Sequence, residues 1–504
     1  MSDDHIPVPR QAVLAMSPEQ FRQIGHGLVD RLADFLTDLP SGRVTSNDTA
    51  SALRALLPAG EIPEQGKPAD ELLSDATTLL TRHSLFNAHP RFFGYITAGP
   101  APIGVLAELL AATINANVGS GTLAPLASAI EEQTVRWIAE IMGYPADCGG
   151  LLVSGGNMAN IVAFLAARRA RVDWDVRQHG VRAGPPLLVY ASTETHTWLH
   201  KAADLSGIGT DAIRWVSATR DGRIDTTGLA QRIAADREGG GQPFLLVGTA
   251  GTVATGAVDP LPELASIARD HGMWFHVDGA YGGLAASLLD TGDASLVPPD
   301  LAGLRQADSI ALDPHKWLYA PLEAGCVLVR RAGDLRDAFG YKPIYYRFDD
   351  DAEQPLPNYY EYGPQNSRGF RALKVWLQLR QAGRAGYRQM LADDIRLAHR
   401  LDSLVRASDA LEPGPGGLSI STFRYVPRAG PQDGSRGEWL DELNTELLDR
   451  LQRGGEAFVS NAVVDGCFLL RACIVNFRTA GSDIDALVQL VERIGGEIVA
   501  DRHL

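Results

Sequence analysis

Six short apolar runs in the middle of the chain constrain its fold more than any other feature. Each run is three or four residues long and is bounded by glycine, proline or polar residues, with longer helical patterns between the runs. Strands that are buried on both faces need no polar alternation, and strands that alternate with helices form mostly parallel sheets. The pattern therefore predicts an α/β layer fold with strands at 151–153, 187–190, 244–247, 274–277, 309–312 and 326–329.

The pattern of apolar and polar residues changes twice along the 504 residues of the chain, a length sufficient for more than one domain. Residues 1–95 have helical spacing and an apolar stripe that must pack against the body or a partner subunit. Residues 386–504 mix helical patterns with alternating strand patterns. We predict a helical N-terminal arm used in dimerisation at 1–95, a large α/β domain at 96–385 and a small α+β domain at 386–504.

Composition excludes several classes of function. Asp and Glu number 61 against 46 Lys and Arg, a net charge of −15, which disfavours nucleic acid or an anionic membrane as a partner. The four cysteines form no C-x-x-C pair, so neither a zinc cluster nor a disulfide framework is expected. The sequence has no signal-peptide core and no uninterrupted span for a membrane. We expect a cytoplasmic protein that needs no metal.

Two residues that follow apolar runs suggest covalent chemistry, because ligands bind beyond the carboxyl ends of parallel strands. Lys316, one of five lysines, follows His315 just after a run, and lysine can form a Schiff base. Asp278 ends another run, where a buried carboxylate needs a partner such as a protonated pyridine nitrogen. Taken singly, each residue also fits a plain structural role, as a surface lysine and as the cap of a turn.

Two further loops could bind a phosphate group and an aromatic ring. The turn Gly155-Gly156-Asn157 opens a helix, where backbone amides and the helix dipole favour an anion, although no P-loop lysine follows. His196 follows another run and could stack on a ring or move a proton. A strand–helix turn and a structural histidine are the plain alternatives for these two features.

Together, in this order, the four loops resemble those of the group II pyridoxal phosphate-dependent amino acid decarboxylases, which include aromatic amino acid and glutamate decarboxylases. The resemblance extends from about Ser17 to Ile498 and includes the segments 89–95, 123–131, 371–376 and 470–476. It implies a fold-type I homodimer with its active site at the subunit interface. It also implies pyridoxal 5′-phosphate as the cofactor and decarboxylation of an L-amino acid to the amine and carbon dioxide.

The resemblance also implies a role for each position. Lys316 would bind the cofactor covalently, Asp278 would pair with the pyridine nitrogen, and His196 and Ala280 would pack on opposite faces of the ring. Tyr345, in a segment similar to the mobile catalytic loop of the family, would donate a proton, and Arg471 would support the site. The implied cofactor-binding residues are Gly155, Gly156, Asn157, His196, Thr252, Asp278, Ala280, His315 and Lys316; the implied substrate-binding residues are Tyr95, Ile96, Thr97 and Ala98.

Some positions depart from the family pattern. Val253 stands where a second threonine is usual, and Asp313 stands where asparagine is frequent. An extra anion near a phosphate would repel it, unless Asp313 orients a neighbour instead. Small residues at 96–98 and 119–121 replace the bulky rings of aromatic amino acid decarboxylases, so the substrate stays open.

Three other functions remain open. An aldehyde synthase uses oxygen on the same scaffold but typically lacks the loop tyrosine or the stacking histidine, and both Tyr345 and His196 are present here. An aminotransferase of the same fold would not need the Tyr345 loop. A non-catalytic regulator that binds pyridoxal phosphate is disfavoured by the intact Lys316, Asp278 and His196.

Overall fold

The computed structural model describes residues 12–58, 60–341 and 356–502. Within them, a seven-stranded sheet has the order β1-β7-β6-β5-β4-β2-β3. All six predicted apolar runs are strands of this sheet. Its strands are β1 (Gly149–Val153), β2 (Leu187–Ser192), β3 (Ile213–Val216), β4 (Gln242–Thr249), β5 (Trp274–Asp278), β6 (Ser309–Leu312) and β7 (Gly325–Val329).

Parallel pairing dominates the sheet, as the sequence predicts. Strands β3, β2, β4, β5 and β6 are mutually parallel, whereas β7 is antiparallel to both β6 and β1. The register aligns Thr249 with Asp278, and Asp278 with Ala311. The carboxyl ends of β4, β5 and β6 therefore meet at one edge of the sheet, where a ligand site is expected.

Helices cover both faces of the sheet. Successive strand residues point to opposite faces, so Leu246 packs in one apolar core and Leu245 packs in the other. The helices are α1 (Pro18–Asp38), α2 (Ala50–Ala55), α3 (Ala69–Arg82), α4 (Pro102–Ile114), α5 (Pro125–Met142), α6 (Gly156–Ala170), α7 (Val176–His179), α8 (Trp198–Leu205), α9 (Thr226–Glu238), α10 (Leu261–Asp270), α11 (Ala332–Phe339), α12 (Ala372–Ala407), α13 (Arg436–Gly454) and α14 (Gly481–Asp501). Short 3₁₀ helices lie at Leu39–Ser41, Val181–Ala183, Thr210–Ala212, Gly282–Leu288, Ala294–Leu296, Pro299–Gln306 and Tyr359–Glu361.

A second, antiparallel sheet lies in the C-terminal part, with the order β10-β11-β9-β8. Residues of α12, α13 and α14 pack with it in a separate apolar core. The predicted domain division stays a prediction. Helix α12 crosses the predicted 385/386 boundary, and its helical geometry breaks nearby at Gly383, which has a φ of 64°. The strands of this sheet are β8 (Leu411–Pro413), β9 (Ile420–Tyr425), β10 (Ser460–Val464) and β11 (Cys467–Cys473).

The N-terminal arm is helical, as its spacing predicts. Ser17 and Gln20 cap α1 reciprocally: the Gln20 N–H donates to Ser17 Oγ, and the Ser17 N–H donates to Gln20 Oε1. Helices α1 and α3 pack against each other, but neither buries a single residue completely. Among the described residues, no helix is long and apolar enough to cross a membrane.

Candidate active site

The loops that follow β1, β2, β4, β5 and β6 enclose a cavity of about 290 Å³. The structure brings together most of the residues predicted for the site, although their chemical roles stay predictions. The predicted residues that line the cavity are Ile96, Gly155, Gly156, Asn157, His196, Asp278, Ala280, His315 and Lys316.

Other predicted residues lie elsewhere. Thr252 is outside the lining; its hydroxyl pairs with Thr255 Oγ1 at 3.0 Å and accepts the Ala257 N–H at 3.1 Å. Tyr95, Thr97 and Ala98 flank or follow Ile96 but do not line the cavity in this single chain. Tyr345 lies outside the described residues.

The turn Gly155-Gly156-Asn157 forms the N-terminal end of α6. Gly155 has a φ of 154°, and α6 begins without a side-chain cap or an acidic residue in its first turn. A Cβ atom on Gly325 would lie 2.5 Å from the Gly155 backbone, so the two backbone segments lie too close together for a larger residue at position 325. The turn therefore presents a helix N-terminus to the cavity, a geometry that favours an anion.

Asp278 is held at the end of β5 by two donors. The Trp198 indole N–H donates to its Oδ2 atom at 2.8 Å, and the Ala280 N–H donates to its Oδ1 atom at 3.2 Å. The carboxylate is buried yet lines the cavity. Because these two donors fix its orientation, Asp278 can act as an acceptor for a cationic N–H group.

A buried network lies on the same strand, two residues before Asp278. His276 Nε2 is 2.6 Å from Asn160 Oδ1, and its Nδ1 is 2.8 Å from Ser309 Oγ. Complete burial lowers the pKa of His276 to about 4, so this ring is neutral at pH 7. Asn160 also lines the cavity, so the network anchors part of its wall.

Lys316 forms an ion pair inside the cavity. Its Nζ atom is 2.9 Å from Asp313 Oδ2, and its backbone N–H donates to the Asp313 carbonyl at 2.9 Å. The backbone bond closes a tight turn directly after β6, which directs both side chains into the same space. This cavity therefore contains a primary amine next to a buried carboxylate.

Two histidines lie beside this amine. Burial lowers the pKa of both His196 and His315, which favours the neutral rings at pH 7. The His315 Nδ1–H donates to the Ala324 carbonyl at 2.7 Å. A neutral imidazole can pack on an aromatic ring or exchange a proton.

The Lys316 loop is anchored to α12. Trp317 Nε1 and the Tyr319 hydroxyl both donate to Asp394 Oδ2, at 2.9 and 2.8 Å. Burial raises the pKa of Asp394 to about 7. Tyr281 stacks on Trp317 with a centroid distance of 4.8 Å, and its hydroxyl is 2.8 Å from Ser419 Oγ. The loop position thus depends on the C-terminal part of the chain.

Arg471 lies on β11, outside the cavity lining. Its Nη1 atom donates to the Tyr95 carbonyl and to Ser460 Oγ, both at 3.1 Å, and the side chain is almost fully buried. Arg471 therefore fixes the backbone immediately before Ile96, the residue of that segment that lines the cavity.

The comparison with known families decides the assignment. The model of the pyridoxal-dependent decarboxylase conserved domain matches residues 51–412. The chain belongs to the pyridoxal-dependent decarboxylase family.

Several similar proteins support this family assignment. The chain is 32% identical over 486 residues to an aromatic-L-amino-acid decarboxylase from Bacillus atrophaeus, covering 96% of this chain and 97% of the relative. It is 29% identical over 479 residues to a phenylacetaldehyde synthase from a Rosa hybrid cultivar, covering 92% and 91%. The crystal structure of Oryza sativa TDC with PLP and tryptamine superimposes with a TM-score of 0.87 and 26% identity, covering 97% of this chain and 100% of that one.

Family membership confirms the predicted fold-type I architecture and the enzyme class. The protein is a pyridoxal phosphate-dependent carboxy-lyase, and pyridoxal phosphate is its cofactor. The described residues fit this group. Besides an amine, a carboxylate acceptor and an anion-binding turn, the cavity wall includes a buried hydroxyl without a hydrogen-bond partner among those residues, Thr249 Oγ1. Unpaired buried polar atoms are expected where a ligand supplies the missing bonds.

The structure adds residues that the sequence prediction did not assign. Thr249 ends β4 in register with Asp278, and it lines the cavity where Thr252 was predicted to contribute. Its position at a strand end was visible in the sequence, but the choice between two threonines three residues apart required the register. The other unassigned lining residues are Asn160, Glu194, Gly251, Val253, Tyr281 and Asp313.

Proposed function

We propose that this enzyme removes the α-carboxyl group of an L-amino acid as carbon dioxide and releases the corresponding amine. The observation that carries the proposal is the convergence of Lys316, Asp278 and the Gly155-Gly156 turn on one cavity. A reactive amine, a fixed carboxylate and an anion-binding helix end are the three elements that pyridoxal phosphate needs from a protein.

Each group in the cavity has a place in this proposal. Lys316 Nζ would hold the aldehyde carbon of the cofactor, and Asp278 would hold the pyridine nitrogen. The backbone amides of Gly155, Gly156 and Asn157 would hold the phosphate, with His315 beside them. When bound, the cofactor supplies an electron sink for the electron pair left by the departing carboxylate.

The protein's part is to hold charge and to move protons. Asp278, fixed by Trp198 and Ala280, would accept a hydrogen bond from the protonated ring nitrogen of the cofactor. Burial lowers the pKa of His196, and its ring would pack on one face of the cofactor ring with Ala280 on the other. We keep Tyr345 as the proposed proton donor to the α-carbon, on the family resemblance alone.

We propose an aromatic L-amino acid as the substrate class. The Bacillus relative is an aromatic-L-amino-acid decarboxylase, and Ile96 and Val253 give the cavity an apolar wall. Tyr95, Thr97 and Ala98 would complete the substrate side together with a second subunit.

We propose a cytoplasmic homodimer with the active site at the subunit interface. The support comes from α4, whose large apolar side chains face solvent in the single chain. Such a row on a water-soluble domain normally marks an interface. The N-terminal arm, at 1–95, would add to the same interface, since α1 and α3 leave Phe21 and Leu80 exposed. The exposed α4 side chains are Val105, Leu106, Leu109, Leu110 and Ile114.

The second candidate function is oxidative: conversion of an amino acid, oxygen and water to an aldehyde, carbon dioxide, ammonia and hydrogen peroxide. The observation that favours it is the similarity to the Rosa phenylacetaldehyde synthase. His196 in the cavity and Tyr345 in the sequence favour the amine product instead. An aminotransferase has less support, because no relative described above carries that activity.

The products distinguish these functions. The purified enzyme, loaded with pyridoxal phosphate, is incubated under air with a pool of L-amino acids, and the products are identified by mass spectrometry. Formation of an amine that lacks the carboxyl group supports the proposal and identifies the substrate. Aldehyde together with peroxide supports the oxidative candidate. A 2-oxo acid that forms only with an added amino acceptor indicates an aminotransferase and would overturn the proposal.

A further inference from the structure

Asp313 is a buried carboxylate in the cavity that the proposed chemistry does not use. It directly follows β6, is only 4% exposed and has one oxygen, Oδ2, paired with Lys316 Nζ at 2.9 Å. Its other oxygen, Oδ1, is buried without a hydrogen-bond partner among the described residues. A buried carboxylate that is only half satisfied is costly, so its position needs an explanation.

The same carboxylate lies against the glycine turn. A Cβ atom on Gly156 would be 2.8 Å from Asp313 Oδ2, and one on Gly155 would be 3.9 Å from Asp313 Oδ1. This turn is the N-terminal end of α6, which has no cap and no acidic residue of its own. Asp313 therefore places a negative group beside the helix end that would receive the phosphate of the cofactor.

The charges around Asp313 leave Lys316 as its main counterion. His315 Nδ1 is 3.7 Å from Asp313 Oδ1, but its proton is directed to the Ala324 carbonyl. His196 and Asp278 also line the cavity, and neither forms an ion pair with Asp313 in the described part of the chain. The carboxylate is thus neutralised by the same amine that would hold the cofactor.

We propose that the Asp313 carboxylate lies beside the phosphate site at the Gly155-Gly156 turn and lowers the affinity of the protein for the cofactor phosphate. The inference rests on the proposed function, because it assumes that the glycine turn binds the phosphate. Two negative groups a few ångströms apart in a partly buried site repel each other. Asp313 therefore weakens binding of the phosphate, and an uncharged residue of the same shape would strengthen it.

The test uses two ligands that differ only in the phosphate. The full-length chain, freed of cofactor with hydroxylamine followed by dialysis, is titrated with 4′-deoxypyridoxine 5′-phosphate and with 4′-deoxypyridoxine, and binding is followed by tryptophan fluorescence. Neither compound has an aldehyde, so Lys316 cannot react with them. For Asp313→Asn we expect the Kd of the phosphate compound to fall about tenfold at low salt, with less gain at high salt. The Kd of the compound without phosphate should change little.

Asp334→Asn is the matched control. Asp334 is also a buried carboxylate in an ion pair, with Arg331, but it does not line the cavity. This variant removes the same charge and should leave both Kd values unchanged. If Asp313→Asn does not give the native circular dichroism spectrum, Asp313→Ser provides the same comparison with a smaller side chain.

Three results would overturn the inference. An unchanged or higher Kd for the phosphate compound would mean that Asp313 does not repel the phosphate. An equal gain for both compounds would assign the effect to packing rather than charge. If the wild type gave no visible absorbance with pyridoxal phosphate and bound neither compound, the proposed site itself would be wrong. That result differs from a working site whose affinity for the phosphate compound does not depend on Asp313.

Discussion

The Trp198 indole N–H donates to Asp278 Oδ2 at 2.8 Å, and both side chains are buried. This bond joins the start of α8 to the end of β5, so it connects two of the loops that form the cavity. It also leaves the outer side of the carboxylate available to a ligand, because Asp278 still lines the cavity.

Trp198→Phe tests the importance of this bond. Phenylalanine keeps most of the apolar contacts but leaves a buried carboxylate with one donor fewer, a loss of about 1.5–3 kcal/mol for a hydrogen bond to a charged group. We expect a lower free energy of unfolding in urea and a kcat reduced at least about tenfold. Trp215→Phe is the control, since Trp215 packs on His200 outside the cavity lining. Equal effects of both variants would show that the Asp278 bond has no special role.

Lys316→Ala tests the attachment of the cofactor. Without the amine, the protein cannot bind the aldehyde covalently, so the visible absorbance of the loaded enzyme should disappear and activity should fall below detection. Lys201→Ala is the control, because Lys201 is an exposed lysine on α8. A visible band that persists in Lys316→Ala after dialysis would show that another amine holds the cofactor.

Much of the fold could be predicted because strands that are buried on both faces appear in the sequence as continuous apolar runs. The strand of the seven-stranded sheet that was missed, β3, lies at one edge, where Arg214 and Trp215 are only half buried and interrupt the apolar run. At the other edge, β1 is buried along its whole length and was predicted, so partial burial rather than edge position weakened the pattern of β3. The three-dimensional register of the central strands, by contrast, cannot be read from composition.

The candidate site was likewise predicted only in part, because some of its residues are brought together by strand pairing. Residues at strand ends, such as Asp278 and Lys316, could be predicted because chemistry concentrates there in α/β sheets. Thr249 was not assigned, because only strand pairing places it beside Asp278. The Asp313–Lys316 ion pair was also not predicted: the sequence left open whether Asp313 repels a phosphate or orients a neighbour.

Asp394 predicts a specific pH dependence of stability. Burial raises its pKa from 3.8 to about 7 in the folded protein. The uncharged acid is therefore favoured by folding, and this contribution is fully present below pH 3.8 and is lost as the pH rises through 7. Asp394→Asn stays uncharged at every pH.

The measurement is the free energy of urea unfolding of the wild type and of Asp394→Asn at pH 5 and pH 8. We expect the difference between the two proteins to shift by about 2.6 kcal/mol in favour of the variant between these values. Asp393→Asn, on the same helix but half exposed, is the control and should show no such shift. A constant difference for Asp394→Asn would mean that the carboxylate keeps its ordinary pKa in the fold.

The proposed dimer can be tested on α4. Leu109 is 55% exposed in the single chain, in the middle of the apolar row of this helix. In a dimer formed through α4, Leu109→Glu would bury one glutamate per subunit. At about 1.4 kcal/mol for each, the dissociation constant would rise about 100-fold, and activity would fall with it at low enzyme concentration. Leu205→Glu is the matched control, because Leu205 is 74% exposed on α8, away from the row. Sedimentation velocity measures the dissociation, and an unchanged dimer in Leu109→Glu would exclude α4 from the interface.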